Sequence, residues 1–165
     1  MTFENNKPTL HGEMVDAARE ISERRAATIS RMVDEAAKRG LDDQFAYDAV
    51  ADYGVDNAKA FRKTMKNPES FQEFIDNFDT DHNRQIYEME TVTKTEDELR
   101  IDFHYCPYVT QWVKQGKNPK EISRLCKIAM AGDYAFAGVF PHVKFTLEES
   151  IADGNPTCVP PFTRQ

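Results

Sequence analysis

Asp102-Phe103-His104-Tyr105-Cys106-Pro107-Tyr108 is the stretch in which the chain changes its period. Up to Cys106 apolar and polar residues alternate as in a strand, and from Pro107 they recur at helical spacing. Leu99, Ile101, Phe103 and Tyr105 fall on one side of that strand, and Arg100, Asp102, His104 and Cys106 on the other. The apolar set is the core-facing one, which leaves His104 on the side of Cys106. A cysteine at the joint of a strand and a helix N-terminus meets unpaired amide N–H groups and the positive end of the helix dipole. Both favour a thiolate.

Upstream, residues 85–93 form a second alternating stretch, and Lys94-Thr95-Glu96-Asp97 joins the two as a hairpin. Before the hairpin the pattern is helical. Met14, Val15, Ala18, Ile21, Ile29, Met32, Val33 and Ala36 mark one face of a long amphipathic helix over 9–39, with Gly40 as its C-terminal stop. Residues 1–9 read as a polar lead-in. A second helix starts after Asp42 or Asp43, and Gly54 is expected to weaken or kink it. Asn67-Pro68 then reads as an N-cap followed by Pro, opening a helix with Phe71, Phe74, Ile75 and Phe78 at core spacing. Downstream, Pro107 opens a helix that ends near Gly116. Asn118-Pro119-Lys120-Glu121 starts another by a capping box, with Ile122, Leu125, Cys126, Ile128 and Ala129 as its buried stripe. The chain ends in a hairpin over 144–159 that Pro160-Pro161 stops.

These elements give an α+β fold in one domain of 165 residues. Residues 1–80 are a helical layer packed on a small antiparallel sheet of about four strands. Residues 81–165 form a hairpin-helix-helix-hairpin segment that carries the site. The net charge of −7 excludes a phosphate-backbone binder, and no nucleic-acid partner is expected. Arg24-Arg25 reads as a solvated helix face. Without an apolar leader or a run long enough to span a bilayer, no membrane partner is expected and the chain reads as cytoplasmic. Three cysteines are not a disulfide framework, and reduced thiols fit that compartment. The long first helix and the many aromatics suit a homo-oligomer.

Asp79-Thr80-Asp81-His82-Asn83 with Glu90 partly matches a calcium loop, but Arg84 stands where the loop needs glycine. Cys106, Cys126 and Cys158 with a histidine would form a Cys3His zinc site. Their separations of 20 and 32 residues lack the short knuckle of such sites, and no metal or cofactor is expected. Taken alone, Cys126 reads as a small buried hydrophobe.

In order, Cys106-Pro107, Leu125-Cys126, Asp133, Pro141, Thr146-Leu147, Gly154 and Cys158 resemble the L-2-amino-thiazoline-4-carboxylic acid hydrolase family. The likeness covers the last third of the chain closely. The run Ile128-Ala129-Met130, and Val159-Pro160-Pro161 before Phe162, depart from it and reshape the pocket. The resemblance implies a hydrolase that opens a small nitrogen heterocycle, of cyclic amidine or lactam type, at a C–N bond. Such chemistry needs a nucleophile, an acid for the leaving nitrogen and donors for the tetrahedral intermediate. Cys106 is the expected nucleophile, Asp133 the proton shuttle in an apolar setting, and His104 or His142 an alternative base. Cys158 serves as catalyst or wall, and Cys126, His142, Tyr108 and Phe136 line the substrate. Arg100, Lys127 and Lys144 are the cations considered for anchoring a substrate anion. Two opposed thiols would also serve a cofactor-free isomerase or racemase, and thiols merely lining a pocket would serve a non-catalytic small-ligand or tetrapyrrole-binding domain.

Overall fold

In the computed structural model, residues 3–80 and 83–165 are described. Four helical segments come first: α1 (Glu13–Lys38), α2 (Gln44–Arg62), α3 (Phe71–Phe78) and the single turn α4 (Arg84–Tyr87). Strands β1 (Met89–Lys94) and β2 (Glu98–Phe103) follow, then helices α5 (Pro107–Lys114) and α6 (Pro119–Gly138), and finally β3 (Val143–Phe145) and β4 (Phe162–Arg164). The four strands make one antiparallel sheet in the order β1-β2-β4-β3. The fold is α+β, with α5 and α6 inserted between the two strand pairs as expected.

The first helix buries part of the face its aliphatic residues suggest, Val15, Val33 and Ala36, but the buried stripe is rotated away from the rest. Val15, Arg19, Ala26, Ser30, Val33 and Ala36 are inside, whereas Met14, Ile21 and Met32 are exposed. The core-facing stripe is rotated because α1 packs on α5 through small residues, and its two polar members find partners. Ser30 donates to Gln115 Oε1 at 2.7 Å, and Trp112 Nε1 donates to the Ala26 carbonyl at 3.1 Å. Arg19, 4% exposed, donates to the carbonyls of Leu10, Gln85 and Ile86 and pairs with Glu88 at 2.9 Å. Its guanidinium also lies 4.8 Å from the Tyr105 ring centroid. Each of the three nitrogens of this buried cation donates a hydrogen bond and one of them pairs with a carboxylate, which is the condition for tolerating it.

Gly54 does not kink α2. It is the crossing point of α2 and α6: a Cβ there would meet the Gly132 carbonyl oxygen at 2.2 Å. The two backbones approach as closely as they do because neither helix carries a side chain at the contact. The third helix starts later than its sequence signal. Ser70, not Asn67, is the N-cap and accepts from the Glu73 amide at 3.2 Å, while the Glu73 carboxylate takes the amides of Lys66 and Asn67. The first alternating stretch is also shorter than expected, because residues 84–87 coil into α4 and Glu88 turns the chain with φ 51°. At the C-terminus Pro160-Pro161 interrupts the ladder without ending it. Residues 149 and 159 pair as an isolated bridge, and β4 forms beyond the prolines between β2 and β3.

The core has two parts. Phe61, Phe71, Phe74, Phe78, Phe136, Phe140, Phe145 and Phe162 fill one beneath the sheet in edge-on and tilted pairs. Val50, Val109, Trp112, Ile122, Leu125, Ile128 and Ile151 fill the other among α1, α2, α5 and α6, and the three cysteines pack against it.

Two outcomes follow from these packings. Gly54→Ala should lower the unfolding free energy in urea by about 1–3 kcal/mol, although helix propensity alone would raise it by about 1. For Glu88, burial pushes the carboxyl up, but hydrogen bonds from Leu10 and Thr9 and the charge of Arg19 outweigh burial and hold it below its ordinary value. Its stabilising share is therefore present above the ordinary carboxylate range and lost as pH falls through the folded value. Chemical denaturation across pH 3–6 should show a shallower acid slope in Glu88→Gln than in the wild type.

Candidate functional site

Cys106 stands at the N-cap of α5 with Pro107 at the first helical position. Its backbone is gripped by the lead-in segment. Asn6 Oδ1 accepts from the Cys106 amide at 2.8 Å, and Asn6 Nδ2 donates to the Cys106 carbonyl at 3.0 Å and to Thr110 Oγ1 at 2.9 Å. Residues before α1 are thus part of the site's frame rather than a loose leader. The amides of Tyr108 and Val109 face the sulfur and favour its ionised form, as a helix N-terminus should. Burial outweighs them and, with the neighbouring sulfurs of Cys158 and Cys126, pushes the thiol well above its ordinary value. The resting site holds a thiol, not the thiolate that the helix start alone suggests.

The other two sulfurs arrive from opposite directions. Cys158 pairs with Phe103 across the end of β2, through N–H to carbonyl contacts of 2.9 and 3.0 Å, which carries it back beside Cys106. Cys126 comes from α6. Between them sits Ser150, 2% exposed, whose hydroxyl lies 3.6 Å from Cys126 Sγ and accepts from the Ala152 amide at 3.0 Å. The Ile151 amide donates to Cys158 Sγ at 3.3 Å. Burial pushes Cys126 up to about 12, with Cys158 adding to it, and raises Cys158 likewise. Each of the three cysteines is free and partly accessible.

Asp133 follows Gly132 directly, so the α2–α6 crossing fixes its position. Burial pushes its carboxyl up to about 6 against the lowering influence of Arg25. Asp133 is nevertheless exposed at the protein surface, so the crowding that raises its pKa comes from the protein mass around it rather than from exclusion of water. The Asp133 charge is felt by Cys126, Tyr108 and Tyr87, and Cys106 is felt by the same two phenols. Burial pushes Tyr108 up to about 12 and Tyr87 higher still. Three thiols, one carboxyl, two protonated phenols and the Arg25 charge thus share one electrostatic neighbourhood.

Three other expected positions lie elsewhere. The strand ends at Phe103, so alternation no longer ties His104 to Cys106. His104 is exposed, 3.1 Å from Glu90, in an open groove of about 440 Å³ lined also by Thr9, Leu10, Gln85 and Met89. His142 packs on Phe140 with Glu69 at 3.9 Å, and burial lowers its pKa. Phe136 belongs to the phenylalanine core, between Phe61 and Phe140. Among the described residues no group of three or more His, Cys, Asp or Glu is arranged to hold a metal ion. Of the calcium-like loop, Asp81 and His82 lie outside the described residues, while Asp79 pairs with Arg84 and Lys94. Asn6, Tyr87 and Ser150 were not signalled by the sequence, and Arg25 was read only as part of a solvated helix face, where it is indeed exposed. Only Ser150, two residues before a turn amide it can cap, carried a local cue.

A family model described as L-2-amino-thiazoline-4-carboxylic acid hydrolase matches residues 19–162. No curated protein matches the chain. A solved structure, a trafficking protein particle complex subunit 3 from Naegleria fowleri covalently bound to palmitic acid, is similar with a TM-score of 0.57. It shares 13% identity, covering 89% of this chain and 96% of that one, so the likeness is one of fold. No helix among the described residues is long and apolar enough to cross a membrane.

The Asn6 grip generates a direct expectation. Asn6→Ala leaves the Cys106 amide without its partner and should cost about 1–3 kcal/mol. Iodoacetamide labelling followed by peptide mass spectrometry should show Cys106 reacting several-fold faster, with Cys126 unchanged.

Proposed function

The chain belongs to the L-2-amino-thiazoline-4-carboxylic acid hydrolase family, and from that premise we propose that it opens a small cyclic amidine at a C–N bond, with Cys106 as nucleophile and Asp133 as proton carrier. The observation that carries this reading is the gathering of Cys106, Cys126, Cys158 and Asp133, distant in sequence, into one partly accessible electrostatic cluster.

Because the resting sulfur is protonated, attack needs a base. Asp133, with a value of about 6, is ionised at neutral pH yet more basic than an ordinary carboxylate, which suits it to accept a proton. The Cys106 Sγ proton passes to the Asp133 carboxylate as sulfur bonds to the amidine carbon. The same proton then goes to the ring nitrogen as the C–N bond breaks, leaving the carbon on sulfur. Water attacks that carbon, one of its protons returns through Asp133 to Sγ, and the acyclic product is released. The Tyr108 and Val109 amides, which already face the sulfur, supply donors for the charge that builds up in each adduct.

The structural neighbour supports a second reading. A thiol in apolar surroundings is also suited to hold a long acyl chain as a thioester, and the similar fold carries covalent palmitic acid. Intact mass of the purified chain before and after neutral hydroxylamine separates the two, since only an acylated thiol loses mass.

Cys106→Ser should abolish turnover of L-2-amino-thiazoline-4-carboxylate, and a fully active variant would overturn the nucleophile assignment. In the wild type kcat/KM should rise with pH through about 6 and then level off, because the acceptor must be a carboxylate. Asp133→Asn should remove that limb and lower the plateau by about 10²-fold or more.

A further inference from the structure

We propose that the outward face of α1 is a dimer interface, on which a second copy of this chain packs its own α1 antiparallel to the first. The proposal concerns assembly and holds whether or not the hydrolase reading does. One side of α1 packs on α5. On the other side stand Met14, Ala17, Ile21, Arg25, Thr28 and Met32, and all six are exposed. At about 3.6 residues per turn they fall on one narrow arc and run about 27 Å along the helix. Met14 is 84% exposed, Ile21 67% and Met32 58%. Three large apolar side chains so open on one stripe of one helix form a patch rather than scattered exposure.

The charges beside the stripe say what covers it. Glu13, Glu20, Arg24, Arg31 and Lys38, all exposed, line one flank of it at steps of four and seven residues. The first two are acidic and the last three basic, so this flank is negative in its N-terminal half and positive in its C-terminal half. Two copies aligned in the same direction would bring like charges together. An antiparallel two-fold pair instead sets each acidic half against the other copy's basic half. Among the described residues Glu13 and Arg31 have no ion-pair partner, and Glu20 pairs with Arg24 on its own helix. The same two-fold axis sets Met14 of one copy against Met32 of the other and Ile21 against Arg25. The Arg25 stem then covers Ile21 while its guanidinium stays 5.0 Å from the Tyr53 ring centroid. Tyr53, itself exposed, extends the patch onto α2. A lipid surface is a poorer match, because it favours a basic flank throughout and half of this one is acidic.

Sedimentation velocity of the purified chain at micromolar concentration should give twice the chain mass of 18.9 kDa, and a monomer overturns the proposal. Ile21→Arg should weaken association about 30-fold or more, the loss of a central hot spot, with an unchanged circular dichroism spectrum. Val92→Arg, at an exposed apolar position on β1, should leave the dimer intact. A dimer lost in Val92→Arg but kept in Ile21→Arg overturns the choice of face. Charge is tested by two double variants, Arg24→Glu with Arg31→Glu and Glu13→Lys with Glu20→Lys. Each alone should be monomeric and their mixture dimeric; undiminished association of either alone overturns the charge match. Direction is read from chains carrying Met14→Cys or Met32→Cys, mixed and oxidised with oxidised glutathione. Peptide mass spectrometry should find a disulfide joining position 14 of one chain to position 32 of the other. A disulfide joining two copies of Met14→Cys at that position instead overturns the antiparallel arrangement.

Discussion

The buried pair of Arg19 and Glu88 is the constraint on which the site's frame depends. A guanidinium so thoroughly enclosed is tolerable only when it is paired and hydrogen-bonded, and the partners it collects come from four separate segments. The Leu10 carbonyl belongs to the lead-in, those of Gln85 and Ile86 to α4, and the Tyr105 ring to the link between β2 and α5. Glu88 holds the lead-in from the other side by accepting from Thr9 and Leu10. Its left-handed backbone, unusual for a glutamate, is held by these contacts. Asn6 and Cys106, which grip each other, sit just beyond the two strands of chain that this node ties together.

The second constraint is steric. Where α2 crosses α6 there is room for hydrogen and nothing else, and Asp133 is the next residue. The carboxyl is thereby delivered into a setting that raises its pKa without any partner accepting its proton. The thiols illustrate the same balance with a different result. A helix start favours the anion, but the enclosure that makes a hydrophobic core also removes water, and for Cys106 the enclosure dominates. Reactivity at this sulfur is therefore conditional on a base or on a bound molecule that supplies charge.

Much of the architecture was legible in the sequence because local signals carried it. The change of period at Cys106-Pro107, the reciprocal Asn118 and Glu121 cap, and the alternation of Leu99 and Ile101 were each written within a few residues. The failures share one cause, tertiary context. Met14, Ile21 and Met32 are more apolar than Arg19 and Ser30, yet the latter pair is inside because distant carbonyls and Gln115 receive it. Gly54 reads locally as a breaker and is globally a contact. Of the site, the cysteines and Asp133 could be picked out by residue type, but the grip of Asn6 across 100 positions and the approach of Arg25 from α1 leave no trace in spacing. His104 failed as a companion of Cys106 because parity predicts sides only while a strand lasts.

The bond from the Trp112 indole to the Ala26 carbonyl has a practical consequence. The chain has one tryptophan, it is 1% exposed, and it rests edge-on against Tyr108 while its acceptor is the carbonyl of Ala26, the residue after Arg25. The protein thus contains a single indole fluorophore in contact with both the phenol and the helix segment beside the cysteine cluster. Its emission colour and lifetime offer a label-free optical readout of occupancy, without a dye and without altering a residue.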